Sequence, residues 1–321
     1  KGEAPGRGDP TYNFEVFWQS FNENYAFFDL YGVDWKAAYN KYAAQVKPDL
    51  SEEALMELLA EMVQDLNDNH ISLTNGEDEF SPYRGTPAWR ERIRDVVQVI
   101  ETKYVPDIKS LSDERIRYGW LNDHIGYINL VAMAADENTE ASLDKLVPSL
   151  DKALKQLQTA KTIVLDVRFN EGGQDAVSLA YANRFADRKR EVYSKQASVR
   201  DGEAARETRF IEPKGDASYS GKVVLLTSGV TESAAESFAQ SMRQLPNVEI
   251  VGERTAGFFS DALTRILPNG GSFTLSNERY FAPDGQLLEG RGVAPDVTVP
   301  IELSLVDRQI DPALDWVLKN N

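Results

Sequence analysis

The sequence predicts a mainly parallel α/β core preceded by a small N-terminal helical bundle. Three observations carry that prediction. Residues 51–66, SEEALMELLAEMVQDL, place Leu55, Leu58, Leu59, Met62 and Leu66 at helical spacing. From about Gly119 onward, short apolar runs such as TIVLDV and KVVLL alternate with helix-period segments, as a sheet covered on both faces requires. The chain has 321 residues, 42% of them hydrophobic, enough to bury a core and a smaller unit beside it.

Taken in order, residues 1–10, KGEAPGRGDP, are polar and turn-rich and read as a flexible tail. Residues 11–75 read as the helical bundle. Its first two helices lie over FEVFWQSFNENYAFF and DWKAAYNKYAAQV, separated by Gly32 and stopped near Pro48. Ser51 is placed as the N-cap of the third, with Glu52 and Glu53 favourably set in its first turn. Residues 76–117 are turn-rich at first and then helical in pattern over AWRERIRDVVQVI; they read as a connecting segment, too short for a domain of their own.

Residues 118–321 read as the core. HIGYINLVAM, TIVLDVRF, KVVLLTSG and VEIVGE are its strands, with ASLDKLVPSLDKALKQL, QDAVSLAYANRFA and AAESFAQSMRQL as the helices between them. LTRILPNGGSFTLS predicts two strands around an Asn-Gly-Gly turn. DPALDWVLKNN predicts a terminal helix capped by Asp311, with Pro312 at its first position.

Composition removes several classes of function. Thirty-five basic against 51 acidic residues give a formal net charge of −16, which repels polyphosphate and anionic lipid, so nucleic acid is not an expected partner. There is no cysteine, hence no disulfide, no thiolate nucleophile and no Cys-ligated metal. With only His70 and His124 available, no metal site and no cofactor are expected. No apolar run approaches membrane-spanning length, so stable membrane insertion is not expected either.

Four stretches carry chemistry. In TSGVTESAAES, Ser233 and Glu236 have the capping-box spacing, yet a serine at a strand-to-helix corner is also where hydrolases put nucleophiles. Both readings stay open on local grounds. In DVRFNEGG, Gly172 and Gly173 let backbone N–H groups approach an anion, or simply form a turn. His70 in DNHISL is a base or a packing residue; Glu289 in LLEGRG is a carboxylate beside a Gly-x-Gly turn. His124 reads as a strand-entry residue with no catalytic part.

Together these stretches resemble the serine peptidases that include the tail-specific, C-terminal processing proteases and the tricorn core protease. DNHISL resembles the family's D-G-H-T-S-L, IGYINL its I-G-Y-I, DVRFNEGG its D-L-R-N-N-G-G, and TESAAESFA its S-A-S-A-x-E nucleophile segment. VGERTAG and LLEGRGVAPDVTV resemble V-G-E-x-T-x-G and I-E-G-x-G-V-x-P-D-I, and the order of the blocks agrees. The resemblance implies a crotonase-like or ClpP-like ββα core and a peptidase acting on peptides or unfolded proteins.

It also implies an exported protein, periplasmic or tethered to the outer membrane after loss of a leader. Oligomeric state is not legible.

Within the family, one branch uses a Ser-Lys dyad and the tricorn-like branch uses Ser, His and Glu. Here Phe258 follows T-A-G and no lysine occurs between Lys222 and Lys319, so the resemblance assigns Ser233 as nucleophile, His70 as base and Glu289 as orienting acid. The oxyanion would be held by the backbone N–H of Ala234 and one from Gly172 or Gly173.

Three departures stand out. Glu171 occupies a position usually small and would restrict access; Asn69 and Ile71 flank the histidine in place of the usual residues, leaving Asn69 or Ser72 to bridge histidine and glutamate. The segment 76–117 is too short for a PDZ domain of roughly 80 to 100 residues. Two other functions fit the fold: a non-proteolytic protein binding a peptide or apolar ligand, and an acyl-CoA enzyme, which the acidic charge and the serine motif disfavour.

Overall fold

The computed structural model describes residues 8–135, 140–199 and 202–321, with the side chains of 140–145 set aside. The first seven residues of the expected tail lie outside this range; the helix Pro10–Asn24 starts within its last residue, capped by Asp9, whose carboxylate accepts from the N–H groups of Thr11 and Tyr12. The chain divides into two compact units. One comprises residues 8–85, 195–207 and 260–280, with residues 200 and 201 outside the described range; the other comprises 86–194, 208–259 and 281–321.

The first unit is helical at its start. The long helix expected over residues 14–28 breaks after Asn24, where Tyr25 turns extended, and a short helix Phe28–Tyr31 follows. Helix Glu52–Val63 is capped by Ser51, as its sequence predicts, and helix Trp35–Ala43 is capped by Asp34. Aromatic rings fill the space between them. Phe17 and Phe21 lie 4.8 and 5.7 Å from Phe273, and Phe21 also lies 5.2 Å from Trp35. Phe273 belongs to the predicted hairpin, Ala262–Ile266 against Ser272–Ser276, which extends through Leu73–Thr74 to Glu79–Phe80 as an antiparallel sheet.

The second unit is built on a seven-stranded sheet. Its order is Val297–Thr298, Val248–Gly252, Lys222–Thr227, Thr162–Asp166, Ile125–Leu130, Ile116–Trp120 and Lys109–Leu111. The first five strands run parallel, and the last two add an antiparallel edge. Every residue of Ile125–Leu130 and of Thr162–Asp166 is buried, which is why these strands read as continuous rather than alternating apolar runs. The helices Glu140–Gln156, Asp175–Ala182 and Ala234–Arg243 follow strands as the sequence predicts.

Residues 88–104 form consecutive helical turns whose Trp89, Val96, Val99, Ile100 and Tyr104 pack into the core beside the terminal helix Pro312–Asn320. Two strands, Arg190–Val199 and Glu207–Ile211, lie where the sequence signalled none. Among the described residues, no helix is long and apolar enough to cross a membrane.

Candidate active site

The ends of two adjacent parallel strands, Thr162–Asp166 and Lys222–Thr227, set one wall of the site. Beyond the second, the Thr231 hydroxyl donates to the Val167 carbonyl at 2.8 Å, and the Ser228 hydroxyl donates to the Arg168 carbonyl, so the two strand-to-helix corners are fastened to each other. Ser233 stands on the second corner with φ +55° and ψ −127°, a left-handed conformation costly to any residue with a side chain. The helix Ala234–Arg243 begins at the next residue and is buried from Ala234 through Met242. A serine forced into such a turn at a helix start is the geometry of a nucleophile elbow.

That same helix corrects the capping reading. The Ser233 side chain makes no cap hydrogen bond, and Glu236 does not return to the Ser233 N–H, which instead donates to the Phe258 carbonyl at 2.8 Å. Glu236 is fully buried, and its carboxyl accepts from the Thr255 hydroxyl at 2.5 Å, the Gly257 N–H at 2.8 Å and the Phe258 N–H at 2.6 Å. Burial raises its pKa to about 8, against the opposing pull of these three donors.

The glycine pair lies against Ser233. Gly172 has φ +99°, and a Cβ there would lie 2.7 Å from the Ser233 Cβ and 3.0 Å from the Ala234 nitrogen. Gly173, at φ +141°, would meet the Met133 carbonyl oxygen at 2.3 Å. The Gly172 N–H donates to the Asn170 side-chain oxygen at 2.8 Å, which commits it and leaves Gly173 as the member of the pair whose N–H the turn does not take up. Asn170 is buried, donates to the Leu130 carbonyl, and accepts the Glu232 N–H on its own carbonyl. Sequence reading passed over this asparagine, although it lies inside DVRFNEGG. Neighbouring Glu171 is half-exposed and paired with Arg90.

Glu289 is fully buried in the same unit. Its carboxylate accepts the Phe259 N–H at 2.8 Å, and the adjacent Gly290 N–H donates to the Gly257 carbonyl. Segment 256–259 therefore touches both sequence-predicted residues: it holds Ser233 through Phe258 and Glu289 through Phe259.

His70 belongs to the first unit, at the exit of the helical bundle and the entry of Leu73–Thr74. Its backbone N–H donates to a carboxylate oxygen of Asp68 at 2.9 Å, the other Asp68 oxygen accepts the Tyr25 hydroxyl, and its backbone carbonyl accepts the Thr274 hydroxyl at 2.7 Å. The residue as a whole is half-buried, and its ring Nδ1 is shielded from solvent. Burial lowers its pKa from the ordinary 6.5, against the carboxylates of Asp68 and Asp261, which favour the charged form. Ser72, one of the two proposed bridging residues, pairs its hydroxyl with that of Thr274 at 2.9 Å. His124 sits at a strand entry, its carbonyl accepting the Lys161 N–H.

The profile of Peptidase family S41 matches residues 124–299, just over half of the chain, and that of the Tricorn protease C1 domain matches residues 7–64. The Carboxy-terminal-processing protease of Bartonella bacilliformis is 24% identical over 254 residues, 75% of this chain and 54% of that protein. The Carboxy-terminal processing protease CtpA of Bacillus subtilis is 27% identical over 55% of this chain and 35% of its own length, so the chain spans about half or less of these curated relatives.

A crystal structure of a candidate peptidase from Parabacteroides merdae superposes with a TM-score of 0.82 at 25% identity, covering 97% of this chain and 96% of that one. The chain belongs to peptidase family S41.

Proposed function

We propose that the protein is a serine-type peptidase of the tricorn-like branch, with a crotonase-like core, acting on peptides or unfolded proteins. In this reading the Ser233 Oγ attacks the peptide carbonyl carbon while His70 takes its proton. The tetrahedral intermediate collapses as the C–N bond breaks, and His70 returns the proton to the leaving amine. Water then attacks the acyl-enzyme by the same route and frees Ser233. Glu289 orients His70, and the N–H groups of Ala234 and Gly173 receive the oxyanion, with Gly172 providing the close approach.

The observation that carries this reading is the strained Ser233 at the start of a buried helix, in contact distance of a glycine turn whose backbone conformation no other residue adopts cheaply. Sequence adds that the block where the dyad branch carries its lysine has none here: Phe258 follows T-A-G, and no lysine lies between Lys222 and Lys319. Hydrolysis of an unfolded protein and of a peptide mixture, with Ser233→Ala and His70→Ala beside the wild type, tests it. Each variant should lose at least roughly 10^4-fold in kcat. A wild type that hydrolyses neither substrate, or a Ser233→Ala variant that keeps its rate, would refute the assignment.

A further inference from the structure

A fully buried carboxyl with no cation against it among the described residues needs a reason to be there, since burying it costs stability unless its oxygens are well used. Glu236 is such a group, one helical turn beyond Ser233. Its two oxygens gather three donors from one short segment: Oε1 accepts from the Thr255 hydroxyl and the Gly257 N–H, and Oε2 from the Phe258 N–H. Thr255 in turn accepts the Val293 N–H on its hydroxyl at 2.6 Å, and its own N–H donates to the Val293 carbonyl. The carboxyl thereby fixes the segment from Thr255 to Phe258 to the helix that begins beside Ser233.

What this segment holds gives the carboxyl its purpose. The Phe258 carbonyl accepts the Ser233 N–H at 2.8 Å, and the Ala256 N–H donates to the Thr231 carbonyl at 2.9 Å, so the strained corner is clamped on both sides of Glu232. One residue further, the Phe259 N–H binds Glu289 at 2.8 Å, and the Gly257 carbonyl accepts the Gly290 N–H at 2.8 Å. The nucleophile and the acid, 56 positions apart in the chain by their numbers, are referred to one strip of backbone, and Glu236 is the side chain that anchors the strip.

We infer that Glu236 is a positioning residue for hydrolysis: through Thr255, Gly257 and Phe258 it sets where Ser233 and Glu289 stand. The inference rests on the reading of Ser233 as the nucleophile. Two acceptor oxygens are the essential feature, because two backbone N–H groups point at the side chain from adjacent residues. Glu236→Gln offers an acceptor to one of them and turns an NH2 toward the other, so the strip must shift. Glu236→Asp keeps both oxygens but is one methylene short.

The test measures inactivation by a fluorophosphonate, separating the reversible affinity KI from the rate constant kinact, with thermal unfolding recorded on the same samples. In Glu236→Gln, kinact should fall by roughly 10^2-fold, the cost of misplacing a reacting group by about an ångström, while KI stays near the wild-type value. Glu236→Asp should recover part of the rate. A folded Glu236→Gln with unchanged kinact overturns the inference, as does a loss confined to KI. Should that variant fail to fold, Thr255→Val, which removes one donor and leaves the carboxyl in place, must itself lower kinact, and an unchanged value there overturns the inference. A wild type not labelled at Ser233 overturns the nucleophile reading, and this inference with it, and is recognised by the mapped site rather than by the variants.

Discussion

His70 can act as a base only while its ring is neutral, and its surroundings already favour that state. Burial lowers its pKa below 6.5, and the Asp68 and Asp261 carboxylates pull the other way. The rate of Ser233 acylation should therefore rise with pH through a midpoint below 6.5 and level off above it. Asp68→Asn keeps a side-chain oxygen for the His70 N–H and an amide for the Tyr25 hydroxyl, while removing the negative charge. The midpoint of a pH–rate profile should move lower still in this variant; a midpoint that rises would contradict the electrostatic account.

The placement of Ser233 and Gly172 at adjoining strand-to-helix corners was legible in the sequence because their neighbours form recognisable blocks. The roles of Asp68, Asn170 and Glu236 were not, because an acidic or amide side chain does not announce whose N–H it accepts. Glu236 illustrates this: local spacing pointed it at Ser233, and the fold sends it to residues 255–258.

At the scale of elements, the strand Thr162–Asp166 and the terminal helix Pro312–Asn320 are joined by a buried charge network. Arg168 is fully buried between Asp166 and Asp311, with guanidinium-to-carboxylate distances of 2.7 and 2.9 Å, and Asp311 also caps the helix through the N–H groups of Ala313 and Leu314. Tyr127 donates its hydroxyl to Asp166. Because Arg168 leads into the Gly172 turn, this network steadies the corner opposite Ser233. Asp311→Ala uncaps the helix and leaves the buried Arg168 with one carboxylate instead of two. Urea unfolding should show a loss of about 3–5 kcal/mol; a loss indistinguishable from that of a surface substitution would show the network to be dispensable.

The helix and its Asp311 cap could be read from Asp-Pro, as could the hairpin 262–276 from its Asn-Gly-Gly turn. The strand Arg190–Val199 could not, since its burial follows no period-two alternation: Val192, Tyr193 and Ser194 are buried in succession and the residues after them are not. Nor could the break after Asn24, where aromatic residues continue without a glycine or proline to mark it.

For the whole molecule, the parallel α/β class was legible because three strands of the large sheet, Ile125–Leu130, Thr162–Asp166 and Lys222–Thr227, are apolar enough to declare burial on both faces. Net charge also acts at this scale. At −16, the protein's field repels acidic peptides and attracts basic ones, and salt screens both effects over a distance of about 10 Å at 0.1 M. kcat/KM for an acidic peptide should rise with ionic strength and that for a basic peptide of matched length should fall. Equal responses would place the charge away from the substrate's approach.

Every role proposed for the site depends on Ser233 being an activated nucleophile in this member of family S41. Fluorophosphonate labelling followed by peptide mapping tests it most directly. One phosphonylated residue, Ser233, is expected in the wild type, and no labelling of Ser233→Ala. An unlabelled wild type, or a label on Ser237 that persists in the variant, would contradict it.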